Sequence, residues 1–186
     1  MKHNIEFLED THQYVVDGII LPSVSEIMLP LTTDHYKDID EATLDNACNR
    51  GHQVHKATEN IDLGKEYEID DKWKDYLLQY KKFKALRKPK IKEVEQLLTN
   101  GEYCGTLDRI IELEGCKWLI DIKTSAQINT DLVSVQLGGY KKLLGKKKID
   151  KCGVLHLTKT GFKLVEIEPR IDVFEALLTI WNYKNK

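Results

Sequence analysis

The sequence predicts an α/β protein of one domain, with a mixed central sheet flanked by helices. Three observations carry this expectation. Between Lys92 and Lys123 three strand-like runs follow one another with only Asn100-Gly101 and Glu114-Gly115 as links. Links that short force consecutive strands to fold back as an antiparallel meander. On both sides of the meander stand stretches with apolar residues at helical spacing. At 186 residues the chain can build one sizeable core and is short for two.

Taken in order, the stretch IEFLEDTHQYVVDGIILPSVSEIM alternates apolar and polar residues around turn signals at Asp10 and Asp17-Gly18, which reads as a small antiparallel hairpin or meander. Ser23 and Glu26 form a capping-box pattern behind Pro22, so a short helix should begin there and close an N-terminal unit of residues 1–30. From Glu41 to Ile61 no proline intervenes, and Leu44, Ala47, Cys48, Gly51, Val54, His55 and Thr58 fall on neighbouring rows of a long helix. Residues 62–70 read as loop. In residues 72–88, Trp73, Tyr76, Leu77, Tyr80 and Phe83 form one stripe with Lys74, Lys81, Lys82 and Arg87 outside it, and the helix must stop before Pro89. The meander strands are expected at 92–99, 106–114 and 117–123. A helix over 131–144 follows, capped by Asn129 or Thr130 and weakened by Gly138 and Gly139. Two strands, 152–158 and 162–168, turn at Thr160-Gly161, and a helix over 171–184 follows Pro169.

With 41% hydrophobic and 31% charged residues the composition suits a soluble globular protein rather than a disordered one. No apolar run approaches the roughly 18 residues of a membrane helix, and the acidic N-terminal stretch lacks the apolar core of a signal peptide. A cytoplasmic location without a membrane partner is expected. Cys48, Cys104, Cys116 and Cys152 form no C-x-x-C pair and read as reduced and mostly buried. The net charge of -2 conceals an asymmetry: residues 1–71 carry 5 basic against 16 acidic side chains, and residues 72–92 carry 9 against 1. The basic block is either a solvated helix face or a local patch for phosphates.

The chemistry concentrates in GTLDRIIELEGCKWLIDIKTS, residues 105–125. Side chains alternate between strand faces, so Asp121 and Lys123 emerge together while Trp118, Ile120 and Ile122 face the core. A turn at Glu114-Gly115 brings Asp108 opposite Asp121 or one step diagonal to it. Two carboxylates this close raise one pKa or require a cation between them, and Mg²⁺ or Mn²⁺ meets that demand through oxygen ligands. Gly105 would let backbone or a ligand approach the strand. His55 lies four residues after Gly51 and four before Glu59 on one helical face, with Gly51 allowing close packing on the sheet; an imidazole is a suitable added ligand. Gln136 and Tyr140 share a helical face and can hydrogen-bond to the lysine or to a nucleic-acid backbone. Metal-bound acids beside a lysine suit phosphodiester hydrolysis, the lysine orienting water or stabilising transition-state charge. Each motif taken alone also fits a surface charge ladder or a packed histidine.

In this order, G-x-x-x-H (Gly51 to His55), G-x-x-D (Gly105 to Asp108), D-x-K (Asp121 to Lys123) and Q-x-x-x-Y (Gln136 to Tyr140) resemble the PD-(D/E)XK nuclease superfamily, specifically its RecB-like branch. The resemblance covers residues 41–158 and leaves 159–186 as a C-terminal strand and helix within a single nuclease domain over 1–186. It implies a restriction-endonuclease-like core, one or two Mg²⁺ or Mn²⁺ ions held by His55, Asp108, Asp121 and the Ile122 carbonyl, and Lys123, Asp108 and Asp121 as catalytic residues. Glu95 is a candidate additional acid. Gln136, Tyr140, Lys81, Lys82 and Lys84 are candidate substrate-binding residues, with Tyr76, Tyr80 and Phe83 either core or stacking platform. Only Cys152 lies beyond Tyr140, so the iron-sulfur cluster of some relatives is not expected, and no Walker pattern is present. What remains resembles compact stand-alone phage and organelle exonucleases that act on single-stranded or frayed DNA ends. The alternatives are a nucleic-acid-binding scaffold without chemistry and a nuclease acting on RNA.

Overall fold

The computed structural model describes residues 3–8, 11 and 13–185. The chain opens with a three-stranded antiparallel sheet, β1 (Ile5–Leu8), β2 (Gln13–Val16) and β3 (Ile19–Leu21). The β2–β3 turn places Asp17 and Gly18 at φ 50° and 84°, the handedness that matches strand twist. The turn expected at Asp10 lies outside the described residues. Ser23 Oγ accepts from the Glu26 N–H at 3.1 Å and the Glu26 carboxylate accepts from the Ser23 N–H at 2.7 Å, so the capping box starts α1 (Val24–Ile27). A further helix, α2 (Leu29–Tyr36), has no counterpart in the expectations above. Its sequence LPLTTDHY lacks an apolar stripe, and Pro30 sits in the first turn, where no N–H is needed.

Helix α3 (Glu41–Leu63) ends at Gly64, whose φ of 67° supplies the left-handed cap. A 3₁₀ turn over Asp71–Trp73 leads into α4 (Lys74–Arg87), which ends two residues ahead of Pro89. Five strands follow, β4 (Lys90–Thr99), β5 (Cys104–Leu113), β6 (Cys116–Lys123), β7 (Lys151–Leu157) and β8 (Phe162–Glu166), and they lie side by side in that order. β4 to β6 form the antiparallel meander. β6 and β7 run parallel through a crossover by α5 (Thr130–Leu144), and β8 returns antiparallel. Helix α6 (Ile171–Lys184) follows. The α/β class with a mixed central sheet is therefore what the chain adopts.

The two faces of the large sheet bury separate cores. On one, Ile27, Leu137 and Phe174 from α1, α5 and α6 meet Ile110, Leu119 and Val154. On the other, Val54 of α3 and Tyr76, Tyr80 and Phe83 of α4 meet Ile111, Ile120, Ile122 and Leu155. The aromatic stripe of α4 thus lies in the core and offers no stacking platform. Among the described residues no helix is long and apolar enough to cross a membrane.

Gly138 and Gly139 sit where α5 crosses α6. A Cβ on Gly138 would lie 2.6 Å from the Arg170 carbonyl oxygen, and one on Gly139 would lie 2.8 Å from the Phe174 ring. Gly51 differs from expectation: a Cβ there meets nothing within 4 Å, so it does not serve close packing on the sheet. In urea unfolding, Gly51→Ala should gain about 0.5–1 kcal/mol by restricting the unfolded chain. Gly138→Ala should lose about 1–3 kcal/mol by forcing main chain apart. Equal effects at the two sites would refute the close crossing as the reason for Gly138.

Candidate metal centre

Main-chain pairing between β5 and β6 runs from Leu113–Cys116 to Arg109–Ile120 and stops there. One step further Asp108 and Asp121 would face each other. Instead of a main-chain partner, the Ile122 N–H donates to Asp108 Oδ2 at 2.6 Å, while the Asp108 carbonyl turns to Arg109 Nη1 at 2.7 Å. The strands part at this point, and the Ile122 carbonyl is left for a side chain from the other side of the sheet. His55 of α3 takes it, with Nε2 at 2.8 Å.

A carbonyl oxygen only accepts, so this bond places a ring hydrogen on Nε2 and leaves Nδ1 as the nitrogen able to meet a cation. Nδ1 faces Asp108 Oδ2 at 3.5 Å and Glu95 Oε1 at 3.9 Å. The ligand atoms of His55, Glu95 and Asp108 all lie within 4.8 Å of one another. Three electron-pair donors so arranged repel unless a proton or a cation sits among them.

Asp121 and Lys123 project together toward α5, as strand alternation requires. Lys123 Nζ lies 2.9 Å from Asp121 Oδ2 and 3.2 Å from Oδ1, and it donates to Gln136 Oε1 at 3.0 Å. Oδ2 of Asp121 is buried and has no hydrogen bond of good geometry despite the nearby ammonium, which leaves an acceptor to spare. Burial lifts the Asp121 carboxyl to about 6; the Lys123 charge opposes the rise and the Asp108 charge adds to it. Burial acts to lower the Lys123 pKa, but Asp121 and Asp108 outweigh it and hold the ammonium above its ordinary value. Lys123 is therefore a fixed cation and a donor at neutral pH, not a proton acceptor.

Glu95 reaches the centre from β4 with φ 44°, a left-handed conformation unusual in mid-strand for a residue with a side chain. Arg109 fixes it. That guanidinium is 1% exposed and donates to Glu95 Oε1 at 2.8 Å, Asp62 Oδ2 at 2.7 Å and Thr58 Oγ1 at 3.2 Å. Asp62 also accepts from Lys84 Nζ at 2.6 Å and from the Tyr80 hydroxyl. Arg109 and Asp62 are absent from the sequence-based candidates, although a signal existed. An arginine in the apolar run LDRII needs a buried carboxylate, and Asp62 shares a helical face with His55 and Thr58.

Nitrogen plus carboxylate oxygens with an unfilled acceptor alongside is a donor set that fits a divalent cation such as Mn²⁺ or Mg²⁺. His55, Glu95 and Asp108 would hold it, with Asp121 beside them. This grouping differs from the expected one in two places. Asp121, expected as a ligand, stands outside the group of three, and the Ile122 carbonyl, also expected as a ligand, is occupied by His55 and fixes its ring. Glu95, the candidate additional acid, is the third member of the group. Gly105 leaves room for Tyr140 rather than for a ligand: a Cβ there would lie 2.8 Å from that ring. Tyr140 is buried and hydrogen-bonds to Gln136, so it backs the lysine's partner instead of facing a substrate. Lys84 is committed to Asp62 and Lys81 to the Tyr67 hydroxyl and ring, which turns both away from the centre; Lys82 is exposed on α4.

No family model matches the chain, and no curated protein matches it. Among solved structures, one described as "Crystal structure of SSO0001" aligns over 57% of this chain at 20% identity with a TM-score of 0.38. The alignment spans 54% of that protein, about half its length.

Arg109→Met keeps much of the volume but removes the cation shared by Asp62 and Glu95, leaving Asp62 to Lys84 and the Tyr80 hydroxyl and Glu95 without its guanidinium, so it should lose about 3 kcal/mol or more in urea unfolding. The double variant Arg109→Met/Asp62→Asn should recover part of the loss, whereas strict additivity would show the two residues to be uncoupled.

Burial and the Asp108 charge lift the Glu95 carboxyl to about 7, against the opposing pull of His55 and Arg109. Between its ordinary 4.5 and 7, the folded protein keeps a proton that the unfolded chain has released. In metal-free protein the stability of the native sequence relative to Glu95→Gln should therefore fall as pH rises through that window. Mn²⁺ should reduce the fall by taking the proton's place. Paired urea titrations at pH 5 and 8 measure it; a difference that grows with pH has the wrong sign.

Proposed function

We propose that the protein is a metal-dependent deoxyribonuclease of the PD-(D/E)XK kind, acting in the cytoplasm on single-stranded or frayed DNA ends. One observation carries the hydrolytic reading. Nδ1 of His55 and the carboxylates of Glu95 and Asp108 converge on one point, and the ammonium of Lys123 is held next to them by Asp121 and Gln136. The preference for DNA ends comes from the resemblance of the four ordered motifs to RecB-like exonucleases.

A divalent ion bound there would polarise a phosphodiester and lower the pKa of an attacking water. The chain's own residues supply the rest. His55 is oriented by the Ile122 carbonyl, so its Nδ1 faces Glu95 and Asp108. Arg109 restrains Glu95 in a conformation it would not hold alone. Lys123 presents a permanent positive charge where negative charge builds on the phosphoryl oxygens, and it needs no reorganisation because Gln136 and Asp121 already hold it. Tyr140 anchors Gln136 from the core.

End-labelled single-stranded DNA, duplex DNA and RNA incubated with Mg²⁺, Mn²⁺ or EDTA test the proposal. Cleavage of DNA should require metal and start from an end. Lys123→Ala and Asp121→Ala should each lower the rate by about 100-fold or more, the scale seen when one preorganised charge or donor is removed. Metal-dependent DNA retention without cleavage would identify an inert scaffold instead, and preferential degradation of RNA would move the substrate.

A further inference from the structure

A cavity of about 410 Å³ opens next to Lys123, between α2 and the connection from β6 to α5. Its size falls within the range of small-molecule sites. Lys123 and Gln136 stand on one side, Met28 and Ile128 give it apolar surface, and Tyr36 lies on α2 with 42% of its surface exposed. The spacing of its walls is fixed. Asn129 caps α5 through Oδ1, 3.1 Å from the Leu132 nitrogen, and its amide nitrogen lies 3.2 Å from His35 Nδ1, which ties α2 to the start of α5. His35 in turn packs edge-on against Tyr36 with ring centroids 4.7 Å apart. A second cavity, also about 410 Å³, touches His55 and Glu95. One cavity thus borders Lys123 and the other borders His55 and Glu95.

We propose that the cavity between α2 and α5 is the subsite for the nucleoside adjoining the scissile phosphate, with Tyr36 as its stacking surface. The assignment rests on the nuclease reading and deepens it. A nucleobase has two apolar faces and a polar edge, and its phosphate carries the charge. The cavity matches this sequence of chemistries: a cation at the Lys123 end, apolar side chains within, and an exposed aromatic ring. An aromatic face binds any base and selects none, as an enzyme degrading arbitrary sequence requires.

The test is calorimetric titration with dAMP and with deoxyribose 5-phosphate, both in Mg²⁺. The base should tighten binding about 5-fold or more, the low end of base–aromatic stacking. Tyr36→Ala should erase that difference while Tyr36→Phe and Tyr36→Trp retain it. Thr32→Trp, one helical turn away on the same wall, should block dAMP by filling the cavity, which guards against a Tyr36→Ala variant that fails to fold. Equal affinity for the two ligands, or discrimination that survives Tyr36→Ala, overturns the subsite. Tyr36-dependent dAMP binding in a protein that cleaves no nucleic acid with any metal keeps the subsite and overturns the nuclease reading. Cleavage with Tyr36-independent dAMP binding does the reverse.

Discussion

The main chain of one residue, Ile122, organises the centre. Its N–H binds the Asp108 carboxylate and its carbonyl binds the His55 ring, so a single stretch of backbone sets the distance between two side chains from opposite sides of the sheet. This is possible only because β5 and β6 stop pairing at Arg109–Ile120, while β6 stays bonded to β7 as far as Lys123–His156. The strand is thus held rigidly on one edge and open on the other. Ile122 itself, fully buried in the core below, cannot shift to close the gap. A loop of the same sequence would leave both ligands free to drift, which matters where displacement of about 1 Å is costly for chemistry.

Opening the sheet exposes buried charge, and the molecule handles this in two ways. Asp62 and Arg109 neutralise each other and extend to Glu95, with Thr58, Tyr80 and Lys84 taking up remaining hydrogen-bonding capacity. That network is complete, and a complete buried network is rigid. Around Asp108 and Asp121 it is not complete: Lys123 is the cation facing them, and one Asp121 oxygen lacks a hydrogen bond. Satisfying one half and leaving the other short concentrates negative potential at a point next to the groove. Structural ion pairs have no need of such an imbalance, whereas a binding site for a cation depends on it.

Much of this was legible in the residues, and the misses share a cause. Alternation along β6 was enough to place Asp121 and Lys123 together, because strand period is insensitive to tertiary detail. Two tight-turn dipeptides were enough for the meander. Glu95 was harder to place, since its positive φ breaks the alternation that any strand argument uses. Arg109 and Asp62 lie 47 residues apart, and although an arginine in an apolar run calls for a buried carboxylate, which one answers it is set only when the helix and strand are docked. At Gly105 the strand suggests close approach by backbone or a ligand, whereas the group that approaches is the Tyr140 ring, a distinction that depends on which helix lies above the strand. Helix α2 escaped because it has little apolar face of its own and is positioned by Met28, Pro30 and the His35–Asn129 contact.

The basic stretch of α4 shows how far a local charge count departs from the field it suggests. Lys72 and Lys74 pair with Asp70 and Asp71, Lys84 with Asp62, Arg87 with Glu114, and Lys90 and Lys92 both with Glu112. Most of these acids belong to the strongly acidic first part of the chain or to the β5–β6 turn, so the excess of one segment cancels that of another across a few ångströms. Such exposed pairs add little stability, but they shorten the reach of the positive potential to less than the roughly 8–10 Å screening length of physiological salt. What remains on α4 is Lys82, exposed, and Lys81, which meets the Tyr67 ring and not an acid, so the basic surface is smaller than the charge count suggests. Lys123 differs because it faces the centre, where a cation held by His55, Glu95 and Asp108 would free its charge for a phosphate. Attraction for nucleic acid would then be generated at the reacting centre and depend on the metal.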